Sequence, residues 1–398
     1  MRDRPPHILP VIVLAQVAGT SLWFAANAVL PDLQSRLGLA DQAVGHLATA
    51  VQLGFICGTL VFAFFAISDR YSPRATFLVC ALMGAACNGA ACFLESAAWL
   101  LSARFATGFF LAGIYPVGMK IASGWYRRDL GLALGFVVGA VVLGTALPYL
   151  VRGLGQALAW ESVMLTVSGL AVAGGFLMFA LVPDGPFLGT AARFDSNALA
   201  AVFRSADFRG SAFGYFGHMW ELYAFWAFVP VVLSAYGAEA QVPPLNVPLL
   251  CFIIIAAGAV GSVAGGYLSL RWGSARVACA QLAASGLCCL ASSVLFHAGS
   301  ELFVAFLVLW GVVVAGDSPQ FSALNARYAP AGQVGSALTI ANCIGFGISI
   351  LSIQVLNQTT GVLPAQYLFL LLVPGPILGV LALRPLLSSG AGAGEPDG

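Results

Sequence analysis

Arg104, Glu221 and Asp317 stand deep inside apolar stretches of the chain, whereas nearly all its other charged residues fall in short breaks between such stretches. A charge in hydrocarbon costs several kcal/mol unless it is paired, hydrated or neutralised, so such residues tend to face a cavity and handle ions or substrate. Glu221 follows His218 by three residues, a spacing that puts both on one helix face. A carboxyl in that position can take up and release a proton as its surroundings change. The competing reading is a structural pair with His218 or with an arginine elsewhere. Asp317 lies between Gly316 and Pro319, where proline removes an intrahelical bond and loosens the turn before it. It reads as a proton site, as a ligand for a cationic group, or as a cap on freed backbone amides. Arg104 stays charged at any relevant pH and needs an acid, carbonyls or water around it. It reads as the neutraliser of an anionic substrate, as a partner that tunes a carboxyl, or as a strut between helices.

Elements that hold such groups in place must themselves cross a membrane. Of the 398 residues, 60% are hydrophobic and 8% charged, against about 25% charged in a soluble domain. Apolar runs of the length a bilayer-spanning helix needs occur at 8–30, 45–67, 75–94, 97–120, 130–151, 162–182, 210–235, 247–269, 275–297, 301–324, 333–356 and 364–387. The shorter alternating segments of a β-barrel are not seen. Arg2 and Arg4 precede the first run, but that run is too long for a signal peptide and is followed by Pro31-Asp32 in place of a cleavage site. Fourteen Lys and Arg residues fall in the segments on one side of the spans and two, Arg36 and Arg152, on the other. The bias puts both termini in the cytoplasm, in a multi-pass cytoplasmic (inner) membrane protein.

The net charge of +1, with no basic run, gives no sign of a nucleic-acid partner. All nine cysteines lie within the spans and none forms a Cys-x-x-Cys pair, so neither a disulfide framework nor a zinc site is indicated, and no metal or cofactor is expected. No nucleotide-binding G-x-x-x-x-G-K-[ST] loop occurs.

The longest polar break, 183–209, divides the spans six and six. At an offset of 203 residues, Gly113-Ile114-Tyr115-Pro116 aligns with Gly316-Asp317-Ser318-Pro319. The loop Ser68-Asp69-Arg70-Tyr71-Ser72-Pro73-Arg74 has a counterpart at Ser269-Leu270-Arg271-Trp272-Gly273-Ser274-Ala275-Arg276. Such repeats are characteristic of secondary transporters, whose binding site lies between the repeats. On these residues the chain resembles the major facilitator superfamily over nearly its full length. That family's G-x-x-x-D-R-x-G-[RK]-[RK] loop is kept at Asp69, Arg70 and Arg74, with Phe65 and Ser72 at the glycine positions and Pro73 at the first basic position. Arg104-x-x-x-Gly108 is similar to its fourth-helix arginine motif. The resemblance implies an all-α membrane protein of twelve transmembrane helices in two pseudo-symmetric six-helix bundles. The expected division is a bundle at 1–182, a cytoplasmic loop at 183–209, a bundle at 210–387 and a disordered cytoplasmic tail at 388–398. It also implies a conformational latch at Asp69, Arg70 and Arg74.

Glycine and small-residue spacing marks close helix packing. The resemblance implies that the fifth and eighth spans meet across the halves, with the second and eleventh as the equivalent pair, so Gly131, Gly135 and Gly139 are expected to meet Ala257, Gly261 and Gly265. Gly54 and Gly58 of the second are expected to meet Ala341, Gly345 and Ser349 of the eleventh. A stripe of Gln16, Thr20, Trp23 and Asn27 is expected on one face of the first helix, lining a cavity. Gln52, Tyr115, His218, Trp220, Glu221, Asp317, Gln320 and Asn342 complete the expected binding residues, with Phe346 and Ser349 beside Asn342 and with Tyr223 and Trp226 in an aromatic wall. The reading is a secondary active transporter of a small organic solute. It is expected to be monomeric and coupled to protons through Glu221 or Asp317, with Arg104 in the same circuit. Two acids against one arginine favour a neutral or cationic solute, and an anionic metabolite bound by Arg104 is the alternative substrate. A transporter-like sensor or channel, and a membrane enzyme using His218 as a base, are the rival classes.

Overall fold

The computed structural model describes residues 5–126, 130–155, 157–188, 202–240, 244–330 and 333–388. Arg2, Arg4, Arg127, Arg128 and Arg193, residues 189–201 of the central loop and 389–398 of the tail lie outside the described residues.

Among the described residues, eleven helices are long and apolar enough to cross a membrane. A shorter apolar helix, α1 (Ile8–Thr20), precedes them. In chain order the eleven are α2 (Ala43–Phe64), α3 (Pro73–Phe93), α4 (Ala97–Trp125), α5 (Leu130–Leu154), α6 (Trp160–Leu181), α7 (Ala206–Glu239), α8 (Val247–Trp272), α9 (Ser274–Leu295), α10 (Ser300–Tyr328), α11 (Val334–Thr359) and α12 (Ala365–Leu387). Their starts carry local signals. Ser96, Ser205 and Asn246 accept from the backbone N–H three residues on, satisfying donors that the first helical turn leaves open.

Three spans read as continuous in the sequence are broken. The first stops at Thr20, turns through 21–24 and resumes as the short helices Ala25–Ala28 and Leu30–Leu37. α4 is interrupted between Leu111 and Tyr115, next to Pro116, and α10 between Gly316 and Ser318, next to Pro319. These last two breaks are repeat-related, each with proline in the first turn of its second segment, where a missing N–H costs nothing. α12 opens as a 3-10 turn over Ala365–Leu372, and α7 starts at Ala206, ahead of the sequence boundary at 210.

The two six-helix bundles repeat the same packing. In the first, α1 packs on α5 and α6, α2 on α4, and α3 on α6; in the second, α7 packs on α11 and α12, α8 on α10, and α9 on α12. The correspondence reaches single residues. A Cβ at Gly108 would meet the Val51 carbonyl, and one at Gly58 the Phe109 carbonyl. Their counterparts Gly311 and Gly261 would meet the carbonyls of Ile254 and Val312.

The expected helix pairings hold, α5 with α8 and α2 with α11, but several of the glycines named for them face elsewhere. Gly54 and Gly58 face α4 rather than α11, and Gly261 and Gly265 face α10 rather than α5. Glycine is needed where two backbones touch, and the tightest contacts are inside each bundle. Gly135 and Gly139 do face α8, but more loosely: a Cβ there would lie 3.5 Å from Ser262 O and 3.3 Å from Ala259 O, respectively. Gly54→Ala and Gly108→Ala are each expected to destabilise the protein by about 1–3 kcal/mol, the usual range for overpacking. The check is the melting temperature of detergent-purified protein. Gly169→Ala, which has nothing within 4 Å, should not lower it.

Candidate functional site

The break in the first span exists around Arg104. This side chain is fully buried, and its Nη2 donates to the carbonyls of Leu22 (2.8 Å) and Trp23 (2.7 Å) in the turn. Its Nη1 donates to Asn88 Oδ1 at 2.7 Å. Asn88 in turn donates to Met164 O and to Ser168 Oγ of α6. The guanidinium therefore takes up carbonyls that an intact helix would have satisfied internally. The expected stripe on one face of the first helix is corrected by the same break. Gln16 and Thr20 lie on α1, Trp23 on the turn and Asn27 on the following short helix, where its amide donates to Val44 O at 3.2 Å.

In the second bundle, His218 and Glu221 both face α10 but do not pair with each other. His218 Nδ1 lies 2.8 Å from Asp317 Oδ1, an ion pair when the imidazole is protonated. Its Nε2 shares a 2.7 Å hydrogen bond with Ser318 Oγ. The rings of Tyr215 and Phe321 flank it. Asp317 occupies the junction between the two segments of α10, and both members of the pair are buried. One helical turn along α7, Glu221 Oε1 accepts from Ser285 Oγ, from Trp310 Nε1 at 2.8 Å and from Cys289 Sγ at 3.4 Å. Trp310 also donates to Ser285 Oγ at 3.0 Å. Two carboxyl sites thus stand one turn apart along α7, one facing an imidazole whose other nitrogen bonds a serine, the other held by neutral donors from α9 and α10.

Between the bundles, rings from both stack on one another. Trp23 lies 5.0 Å from Phe55, 5.5 Å from Tyr223 and 5.8 Å from Phe346, centroid to centroid. Phe55 and Phe346 are 4.5 Å apart, and Tyr223 contacts Trp226 at 5.2 Å. Tyr115 stacks on the far side of Phe55. Beside these rings, Trp23 Nε1, Trp226 Nε1 and Gln52 Nε2 are buried and lack a protein acceptor. Both side-chain atoms of Gln16, packed against Gly118, are in the same condition.

At one end of the rings the bundles are bonded together. Ser349 donates to Gln52 Oε1 (3.0 Å), Gln354 to Thr49 Oγ1 (2.7 Å), Gly45 N to Asn357 Oδ1 (3.3 Å) and Asn246 to Gly153 O (3.0 Å). At the other end, Asp69 pairs with Lys120 of α4, which also donates to Ser68 O at 2.6 Å. Arg74 reaches Phe179 O at 3.3 Å, and Arg70 ends the short helix Ile67–Arg70. The bonds of Asp69 and Arg74 stay within the first bundle.

The remaining expected residues are scattered. Trp220 donates to Leu371 O of α12 at 3.1 Å, Gln320 is buried on the second segment of α10, and Asn342 is half-buried on α11. Asn88, Ser285, Cys289, Trp310 and Ser318 were not singled out in the sequence. A signal existed for Trp310, which precedes Asp317 by seven residues and so shares its helix face. A lone Asn or Ser in a span gives no such clue.

Residues 12–386 match the family model described as Major Facilitator Superfamily. No curated protein matches by sequence. Among solved structures, the human organic anion transporter MFSD10 (TETRAN) superposes with a TM-score of 0.73 at 16% identity, over 95% of this chain and 100% of that one. The proton:xylose symporter XylE bound to 6-bromo-6-deoxy-D-glucose superposes with a TM-score of 0.74 at 12% identity, over 96% of each chain. At these identities the likeness is one of fold.

Proposed function

Because the chain belongs to the major facilitator superfamily, we propose that it is a proton-coupled secondary transporter moving a small organic solute by alternating access. The observation that carries the coupling is the pair of buried carboxyl sites on the α7–α10 seam. His218–Asp317 touches Ser318 at the α10 break, and Glu221 lies one turn along the same helix. A bend at that break would change the contacts of both acids at once, which ties protonation to shape. Arg104 serves as the strut that holds the α1 turn, since its bonds run to two carbonyls and Asn88. That use argues against an anionic solute bound by Arg104.

Taking the orientation read from Lys and Arg, the end bonded by Gln52, Gln354 and Asn357 is the outer one, and the conformation is closed to the outside. Asp69 and Arg74 bonded inside their own bundle fit an unfastened cytoplasmic latch. Removing Gln354 and Asn357 side chains together is expected to cost the closed form about 1–2 kcal/mol, at about 1 kcal/mol per net hydrogen bond. Labelling of an Ala48→Cys probe by an impermeant maleimide from outside should then rise roughly tenfold. Unchanged labelling would remove the gate reading.

The test of coupling uses proteoliposomes loaded with a pH-sensitive dye, with uncharged and cationic solutes added outside. Solute-dependent proton movement is expected. Solute exchange without any proton movement would leave a uniporter, and no exchange of any solute would favour the sensor reading.

A further inference from the structure

We propose that the solute is an uncharged, ring-bearing molecule whose oxygens accept hydrogen bonds, held between Trp23 of the first bundle and Tyr223 and Phe346 of the second. This rests on the transporter reading and narrows it. The first observation is where charge is absent. Among the described residues, Arg104, Asp317 and Glu221, the charged side chains set deep inside the spans, each have partners of their own. Arg104 is bonded to carbonyls and Asn88, Asp317 to His218, and Glu221 to Ser285, Trp310 and Cys289. An anion would meet no free cation there, and each carboxyl that a cation could seek already faces a partner through one oxygen.

The second observation is a set of unpaired donors beside the rings. Trp23 Nε1, Trp226 Nε1 and Gln52 Nε2 are at most 2% exposed by residue and have no acceptor. Buried N–H groups are almost always paired, so three unpaired ones in one cluster mark a place where acceptors belong. Hydroxyl, ether or carbonyl oxygens on a compact solute supply them. The third is geometry. Trp23 stacks on Tyr223 and Phe346 at interplanar angles of 27° and 25° across the bundle seam. A flat or chair-shaped ring slid between them keeps a stacking surface for each bundle. The same ligand would then bind both halves and favour closure around itself.

The experiment measures thermal stabilisation of the full-length protein in nanodiscs by uridine, methyl glucopyranoside and coumarin, and by tetraphenylphosphonium and benzoate. At least one uncharged compound is expected to stabilise the protein, and both ions to be silent. Trp23→Phe keeps a ring but removes the N–H, and should weaken Kd for that compound at least tenfold. If Trp23→Phe folds poorly, Trp226→Phe carries the same expectation. No shift from any uncharged compound, a shift from either ion, or an unchanged Kd in the folded variant would overturn the assignment. Counterflow separates the two readings. An uncharged compound that binds without exchanging keeps the solute class and removes transport, whereas counterflow of tetraphenylphosphonium keeps transport and removes the class.

Discussion

Glu221→Gln is expected to abolish solute accumulation driven by a proton gradient while equilibrium exchange of the same solute continues. The substitution keeps an oxygen where Ser285, Trp310 and Cys289 donate, so the α7–α9–α10 seam retains its bonds. What it removes is the ability to gain and lose a proton. A pH difference of one unit corresponds to about 1.4 kcal/mol per proton, enough for roughly tenfold accumulation by a one-proton symporter. In the variant the inside-to-outside ratio should fall to about one under the same gradient. Exchange needs only a site and a conformational switch, and should persist. Separation of the two activities is the diagnostic, because a merely structural loss would depress both. Accumulation at the wild-type ratio would make Glu221 a packing residue and leave Asp317 as the coupling acid.

Arg104→Ala should be the most destabilising single change in the first bundle. It strips partners from Leu22 O, Trp23 O and Asn88 Oδ1 in a buried setting. Each orphaned group costs about 1–3 kcal/mol, so a total loss of about 3–5 kcal/mol is expected, in the range for breaking a buried charged network. Without the guanidinium the turn at 21–24 has no fixed shape, and Trp23 leaves its stack. Arg104→Lys should rescue only in part, since an ammonium lacks the planar fork that reaches two carbonyls and an amide at once. The measurement is melting temperature together with solute exchange. Wild-type stability in Arg104→Ala would remove the strut reading.

How much of this was legible beforehand differs by element. Spans two to twelve followed from apolar length alone, because a backbone in lipid must satisfy its own hydrogen bonds and has little choice but helix. The repeat was also legible. The Gly113–Pro116 and Gly316–Pro319 alignment marks the places where α4 and α10 break, although both spans read as continuous and only the turn at Asp317 was expected to loosen. The break in the first span was not, since no proline or glycine lies at 21–24. The carbonyls it frees are taken up by Arg104, some eighty residues away.

The same division runs through the site. The sequence by itself determined that Arg104, Glu221, His218 and Asp317 lie inside the apolar spans, because the apolar residues flanking each one in the chain define those spans. Only the tertiary structure decided their partners: Asp317 rather than Glu221 for His218, neutral donors from α9 and α10 for Glu221, and backbone carbonyls for Arg104. It likewise decided that Gly54 and Gly261 pack within their own bundles. Helical periodicity tells which residues share a face, but which helix that face meets is set by contacts between spans far apart in the chain, and no local pattern encodes them.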